Sequence, residues 1–99
     1  MKNAKAKGSR NERRTIKLLE SQGYYCTKSG GSLGMWDIIA FNRNHIRLIQ
    51  SKTNRPPPKC EMDTMSSFSI YPPGTTKELW IWKDHQRSPE VIPISTKLV

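Results

Sequence analysis

The chain has 99 residues, 17 Lys plus Arg against 8 Asp plus Glu for a net charge of +9, and 34% hydrophobic residues. That length provides one domain with a modest core, and no apolar run approaches the roughly 20 residues that span a bilayer. Residues 1–17 hold seven cations (Lys2, Lys5, Lys7, Arg10, Arg13, Arg14, Lys17) beside one acid, Glu12, a concentration that suits a polyanion such as nucleic acid, with a solubilising tail as the plain alternative.

The opening MKNAKAKGSR has no apolar segment behind its charges and is not expected to act as a secretory signal. Residues 1–7 read as a flexible basic arm, followed by one domain over 8–99. Ser9 and Glu12 match an S-x-x-E capping box, and SRNERRTIKLLESQG then runs helically to Gly23, a good terminator. YYCTKS reads as a strand and GGSLG as a flexible loop. Met35–Phe41 and Ile46–Thr53 form the two arms of a hairpin. Three consecutive prolines exclude NRPPPK from any regular element. Residues 59–69 have the pattern of a short helix with Met62 and Met65 inward, YPPG is a turn, and KELWIWK and EVIPIS are two further strands. Runs of strands packed by a long first helix indicate an α/β domain with a central sheet.

The hairpin carries polar residues inside an apolar pattern. A loop centred between Arg43 and Asn44 pairs Phe41 with Ile46, Ile39 with Leu48 and Asp37 with Gln50, and opposed residues share a face. Lys52 follows on the same face. On the first helix, Glu12, Ile16 and Leu19 fall on one stripe at about 100° per residue. A carboxylate on a core-facing stripe is costly unless it is paired or binds a cation. If this stripe packs on the hairpin face, Glu12 meets Asp37, Gln50 and Lys52.

Two carboxylates, an amide oxygen and an ammonium suit metal-dependent phosphoryl chemistry. Mg²⁺ (or Mn²⁺) takes hard oxygen ligands, and bound metal activates water and stabilises charge on phosphoryl oxygens. Lys52 is placed to hold the attacking water or the phosphate charge. Without metal, the same residues make a salt bridge of Lys52 with Asp37 and Glu12 at the sheet edge.

KGSRNER (7–13), LLESQGYYCTKSGGS, DIIAF (37–41) and LIQSK (48–52) together resemble the PD-(D/E)XK nuclease superfamily, and most closely the archaeal-type Holliday junction resolvases. The resemblance covers roughly residues 7–53. It implies a restriction-endonuclease-like core, αβββ(α)ββ with a central mixed sheet, and endonuclease activity on branched or structured DNA. It casts Glu12, Asp37 and Gln50 as metal ligands together with the Ser51 carbonyl, and Lys52 as the catalytic lysine. Ser32 matches a loop serine beside the substrate, and Arg13 a basic residue near phosphate. The resemblance and the small core both suggest a homodimer. Trp36 stands where the family has proline. Gln50 replaces the acid of (D/E)xK, so the site has one negative charge fewer.

Lys5, Lys7, Arg10, Arg14, Lys28 and Arg55 are further candidates for DNA phosphate contacts. His45 and His85 read as isolated surface residues. Trp80 and Trp82 read as core or subunit-interface packing, with base stacking as the lesser reading. Cys26 and Cys60 have no metal-site spacing and read as reduced thiols in the cytoplasm, or the host cytoplasm for a viral protein. No membrane or small-molecule cofactor is expected. Two alternatives remain: a non-cleaving DNA-binding protein on the same fold, which Gln50 favours, and a strand-cutting subunit of a larger complex.

Overall fold

A computed structural model describes residues 4–28 and 35–96, with side chains from Lys7 onward. The order is α1 (Ala4–Ser21), β1 (Tyr25–Lys28), β2 (Ile38–Phe41), β3 (Ile46–Thr53), α2 (Lys59–Ser67), β4 (Thr75–Trp82) and β5 (Glu90–Ile94). The strands form one sheet in the order β1-β2-β3-β4-β5. All neighbours are antiparallel except β3 and β4, whose parallel pairing needs a crossover, and α2 provides it. The expected sequence of elements and the mixed sheet are both present.

The first helix begins earlier than expected. Residues 4–7, assigned to a flexible arm, are its first turn, so Ser9 lies inside α1 and cannot cap it. Its end is as expected. Gly23 adopts φ 92°, and the N–H groups of Gly23 and Tyr24 close back on the carbonyls of Glu20 and Leu19.

The hairpin register is the expected one, with Phe41 opposite Ile46 and Ile39 opposite Leu48. The face covered by α1 is not. Leu19 packs with Ile38, Ala40, Ile49, Trp80 and Trp82, on the side of the sheet away from Ile39 and Leu48. The side of Ile39 and Leu48 is closed instead by Met65 of α2, with Trp36, Met62 and Phe68 around it. The buried stripe of α1 is Asn11, Thr15 and Leu19, rotated by one residue from the expected Glu12–Ile16–Leu19 stripe. Its two polar members are satisfied: Asn11 Nδ2 donates to Thr53 Oγ1 at 2.9 Å, and Thr15 Oγ1 accepts from Trp82 Nε1 at 2.7 Å. Trp80 and Trp82 are buried, which bears out core packing over base stacking.

A buried lysine fixes α2 to the sheet. Lys77 Nζ donates to the carbonyls of Met65, Ser66 and Phe68 at 2.7, 3.0 and 2.8 Å, taking up acceptors that a helix C-terminus leaves open. Burial pushes its ammonium pKa down. Lys77→Met keeps the apolar stem but takes this donor from the Ser66 and Phe68 carbonyls and leaves Met65 O only the Phe68 N–H. A loss of about 2–3 kcal/mol is expected, read as a lower urea midpoint at unchanged m. A midpoint equal to wild type would show that α2 does not depend on this cap.

Candidate active site

β2 begins at Ile38, so β3 loses its antiparallel neighbour beyond Ile49. Asp37 fills that gap. Its backbone N–H donates to Ile49 O at 2.9 Å, continuing the ladder by one step, and its carboxylate replaces the missing strand. Asp37 Oδ2 accepts from the Ser51 backbone N–H at 2.9 Å and from Gln50 Nε2 at 3.2 Å. Within a strand the N–H and C=O of one residue face the same neighbour, so the Ser51 carbonyl opens on the same gap. Asp37 Oδ1 receives no hydrogen bond among the described residues.

The electrostatics of Asp37 are mixed. Burial pushes its carboxyl pKa up and the nearby Glu12 carboxylate adds to this; the Ser51 N–H, Lys52 and the Gln50 amide pull the other way, and the net direction is upward. A raised carboxyl next to a second acid is a setting that a bound cation would relieve.

The structure brings together Asp37, Gln50, Ser51 and Lys52, with Glu12 close enough to influence Asp37 although α1 covers the opposite face. Glu12 pairs with Lys28 at 3.3 Å, at the end of β1. Lys52 pairs with Glu61 in the first turn of α2 at 3.3 Å, rather than with Asp37 or Glu12. Glu61 went unnoticed in the sequence. Its signal was its position one residue before Met62, in a helix that packs on the Asp37 face.

The donor set fits a hard cation in kind but is low in charge. All candidate donors are oxygens (Glu12, Asp37, Gln50 and the Ser51 carbonyl), which suits Mg²⁺ or Mn²⁺. Among the described residues, no group of three His, Cys, Asp or Glu is placed to hold a metal. The orientation of Gln50 sharpens the point. An ionised carboxylate only accepts, so Nε2 faces Asp37 and the amide oxygen is turned away.

Of the candidate DNA contacts, Arg10, Arg13 and Arg55 are exposed. Lys7 is tied to Asp84 at 3.0 Å, Lys28 to Glu12, and the Arg14 guanidinium lies 4.0 Å from the Trp82 ring centroid. Ser32 and the Lys5 side chain lie outside the described residues. His85 is exposed as expected. His45 is not isolated: its ring bridges the Tyr24 hydroxyl at 2.9 Å and Thr76 Oγ1 at 3.0 Å. Cys26 and Cys60 are free thiols. No described helix is long and apolar enough to cross a membrane.

No family model matches the chain, and no curated protein matches its sequence. A solved structure does match: the 1.6 Å resolution structure of Archaeoglobus fulgidus Hjc, a Holliday junction resolvase from an archaeal hyperthermophile. The TM-score is 0.69 at 21% identity, over 88% of this chain and 72% of that one. The chain therefore has a restriction-endonuclease-like α/β fold, the one that its resemblance to archaeal-type resolvases implied.

Proposed function

We propose that the protein is a metal-dependent endonuclease that hydrolyses phosphodiester bonds in branched or structured DNA. The observation that carries this reading is the gap beyond the start of β2. There a raised Asp37 carboxyl, the Ser51 backbone and the Lys52 ammonium converge, on a fold shared with a resolvase. The net charge of +9 supports a polyanionic substrate.

In this reading Asp37, Glu12 and the Ser51 carbonyl, with the Gln50 amide oxygen once its amide turns over, would hold Mg²⁺ or Mn²⁺, which when bound supplies charge neutralisation at the scissile phosphate and an acidified water. Asp37 orients through its bond to Ser51 N–H. Lys52 offers its ammonium to the phosphate or the attacking water, exchanging its contact with Glu61 as substrate enters. A homodimer presents two such sites to the two strands of a junction.

A specific observation favours a second reading, a non-cleaving DNA-binding protein: the Gln50 side chain turns its NH₂ group, not its oxygen, toward Asp37, and adds no negative charge to the site. Cleavage of labelled four-way junction, flap and linear duplex with Mg²⁺ or Mn²⁺ separates the two. The nuclease reading expects cutting that Asp37→Ala abolishes, with the best-cut substrate defining the specificity. Gln50→Glu is expected to lower the metal concentration for half-maximal cutting by at least about tenfold, because affinity follows the charge count of the ligands. Binding without cutting by either protein, under either metal, leaves the binding module as the function.

A further inference from the structure

The outer side of α1 forms a second basic feature, separate from the Asp37 gap. Arg10, Arg13, Arg14 and Lys17 fall within about 100° of the helix circumference, on the side turned from Glu12. Where this stripe meets the turn between β4 and β5 there is an open cleft of about 400 Å³, lined by Arg14, Lys17, Leu18, Ser21, Trp82, Arg87 and Ser88. Three cations and two hydroxyls line it without a carboxylate. Among the described residues, no acid lies within ion-pairing distance of Arg14, Lys17 or Arg87.

The cleft is held in shape. Arg14 lies over the Trp82 ring, with hydrogen bonds to Asn11 Oδ1 at 3.2 Å and the Gln86 carbonyl at 3.5 Å. These use two of the five guanidinium N–H groups and leave three for a ligand. The turn is anchored by the Lys7–Asp84 pair and by Asn54, whose side chain donates to Asp84 Oδ2 at 3.1 Å and accepts from the Asp84 N–H at 2.8 Å. Arg14 is therefore fixed before any ligand arrives, while Lys17 and Arg87 remain free to close on it.

We infer that this cleft seats a backbone phosphate of the DNA away from the cleavage site, fixing how the duplex arm lies across the protein. The inference rests on the proposed DNA substrate. Its geometry comes from the sheet: β3 and β4 run parallel with Lys52 beside Ile81 and Thr53 beside Trp82, so the active site and the β4–β5 turn lie at the same end. The cleft opens on the α1 side of that end and Lys52 faces the α2 side, so DNA that reaches both passes around the end of the sheet. Guanidinium groups and hydroxyls contact phosphate oxygens without reading bases, so the cleft adds affinity and register, not sequence preference.

The test is the salt dependence of DNA binding, followed by fluorescence anisotropy in EDTA with labelled four-way junction and linear duplex. Arg87→Ala is compared with Arg43→Ala, an equal loss of charge in the β2–β3 turn at the other end of the sheet, and with the Lys17→Ala/Arg87→Ala pair. Each phosphate contact adds roughly 0.9 to the slope of log K against log salt. One seated phosphate accounts for about 0.9 in all, so the double variant is expected to lower the slope by about one and Arg87→Ala by a part of that, while Arg43→Ala leaves it unchanged. Equal slopes for Arg87→Ala and Arg43→Ala overturn the phosphate seat, and the nuclease reading stands if wild type cuts. A reduced slope in a protein that never cuts keeps the seat and removes the nuclease. Wild type that binds neither DNA overturns both.

Discussion

Asp37→Asn is expected to abolish cleavage and, at neutral pH in EDTA, to melt at a higher temperature than wild type. The two effects have one origin. Burial, with Glu12 nearby, holds the Asp37 carboxyl above its ordinary value of 3.8, so folding favours its protonated form. The stability linked to this group is fully present below the unfolded value and is lost as pH rises through the folded one. At neutral pH the ionised carboxylate is therefore a burden on the metal-free fold. Asparagine removes the charge and keeps an oxygen to accept from the Ser51 N–H, so the gap beside β3 stays closed. Metal catalysis supplies several kcal/mol of charge stabilisation, so the loss in cleavage is about 10³-fold or more.

Added Mn²⁺ separates the roles further. Metal that binds the folded protein alone raises its melting temperature by mass action. Wild type is expected to show that rise and Asp37→Asn to lack it. An Asp37→Asn protein that melts below wild type in EDTA would mean that the carboxylate is a structural member of the hairpin. The same Mn²⁺ response in both proteins would place any metal elsewhere.

The hairpin register was legible in the sequence because alternation and loop length agreed on one pairing, and Asp37, Gln50 and Lys52 came to one face as that pairing requires. The covering helix was not legible. Ile38, Ala40 and Ile49 are as apolar as Ile39 and Leu48, so a period of two cannot say which face belongs to which helix. The stripe of α1 was obscured for a related reason. Two of its three buried members, Asn11 and Thr15, are polar, and their burial depends on Thr53 and on Trp82, which lies 67 residues from Thr15. Reading apolar residues alone rotated the helix toward Ile16. The Lys52–Glu61 pair required the same missing fact, that α2 and not α1 closes the face of Gln50.

Glu78→Ala is expected to cost about 3–5 kcal/mol, a large share of the stability of a domain this size. Glu78 is 6% exposed and receives four hydrogen bonds. Arg47 donates through two nitrogens at 2.8 and 2.7 Å, Trp80 Nε1 at 2.9 Å and Thr76 Oγ1 at 3.0 Å. Removing the carboxylate leaves the Arg47 guanidinium, itself lodged against Tyr24 and Trp80, without a counter-charge, and leaves the Trp80 indole N–H without this acceptor. Arg47→Met/Glu78→Leu deletes both charges together and is expected to recover most of the loss, since desolvation offsets much of the pair's attraction. The pH dependence has the opposite sign to that of Asp37. Burial alone would raise the Glu78 carboxyl, but Arg47, Trp80 and Thr76 outweigh it and hold it below its ordinary 4.5. Its contribution is present above that value and disappears as pH falls through the folded one. Urea midpoints measured from neutral to acid pH should therefore fall below about pH 4.5 in wild type, and fall less in Glu78→Ala, which has already lost this term. Parallel profiles for the two proteins would assign the acid sensitivity to other carboxylates, and a Glu78→Ala midpoint close to wild type at neutral pH would show that the sheet closes around Arg47 without its partner.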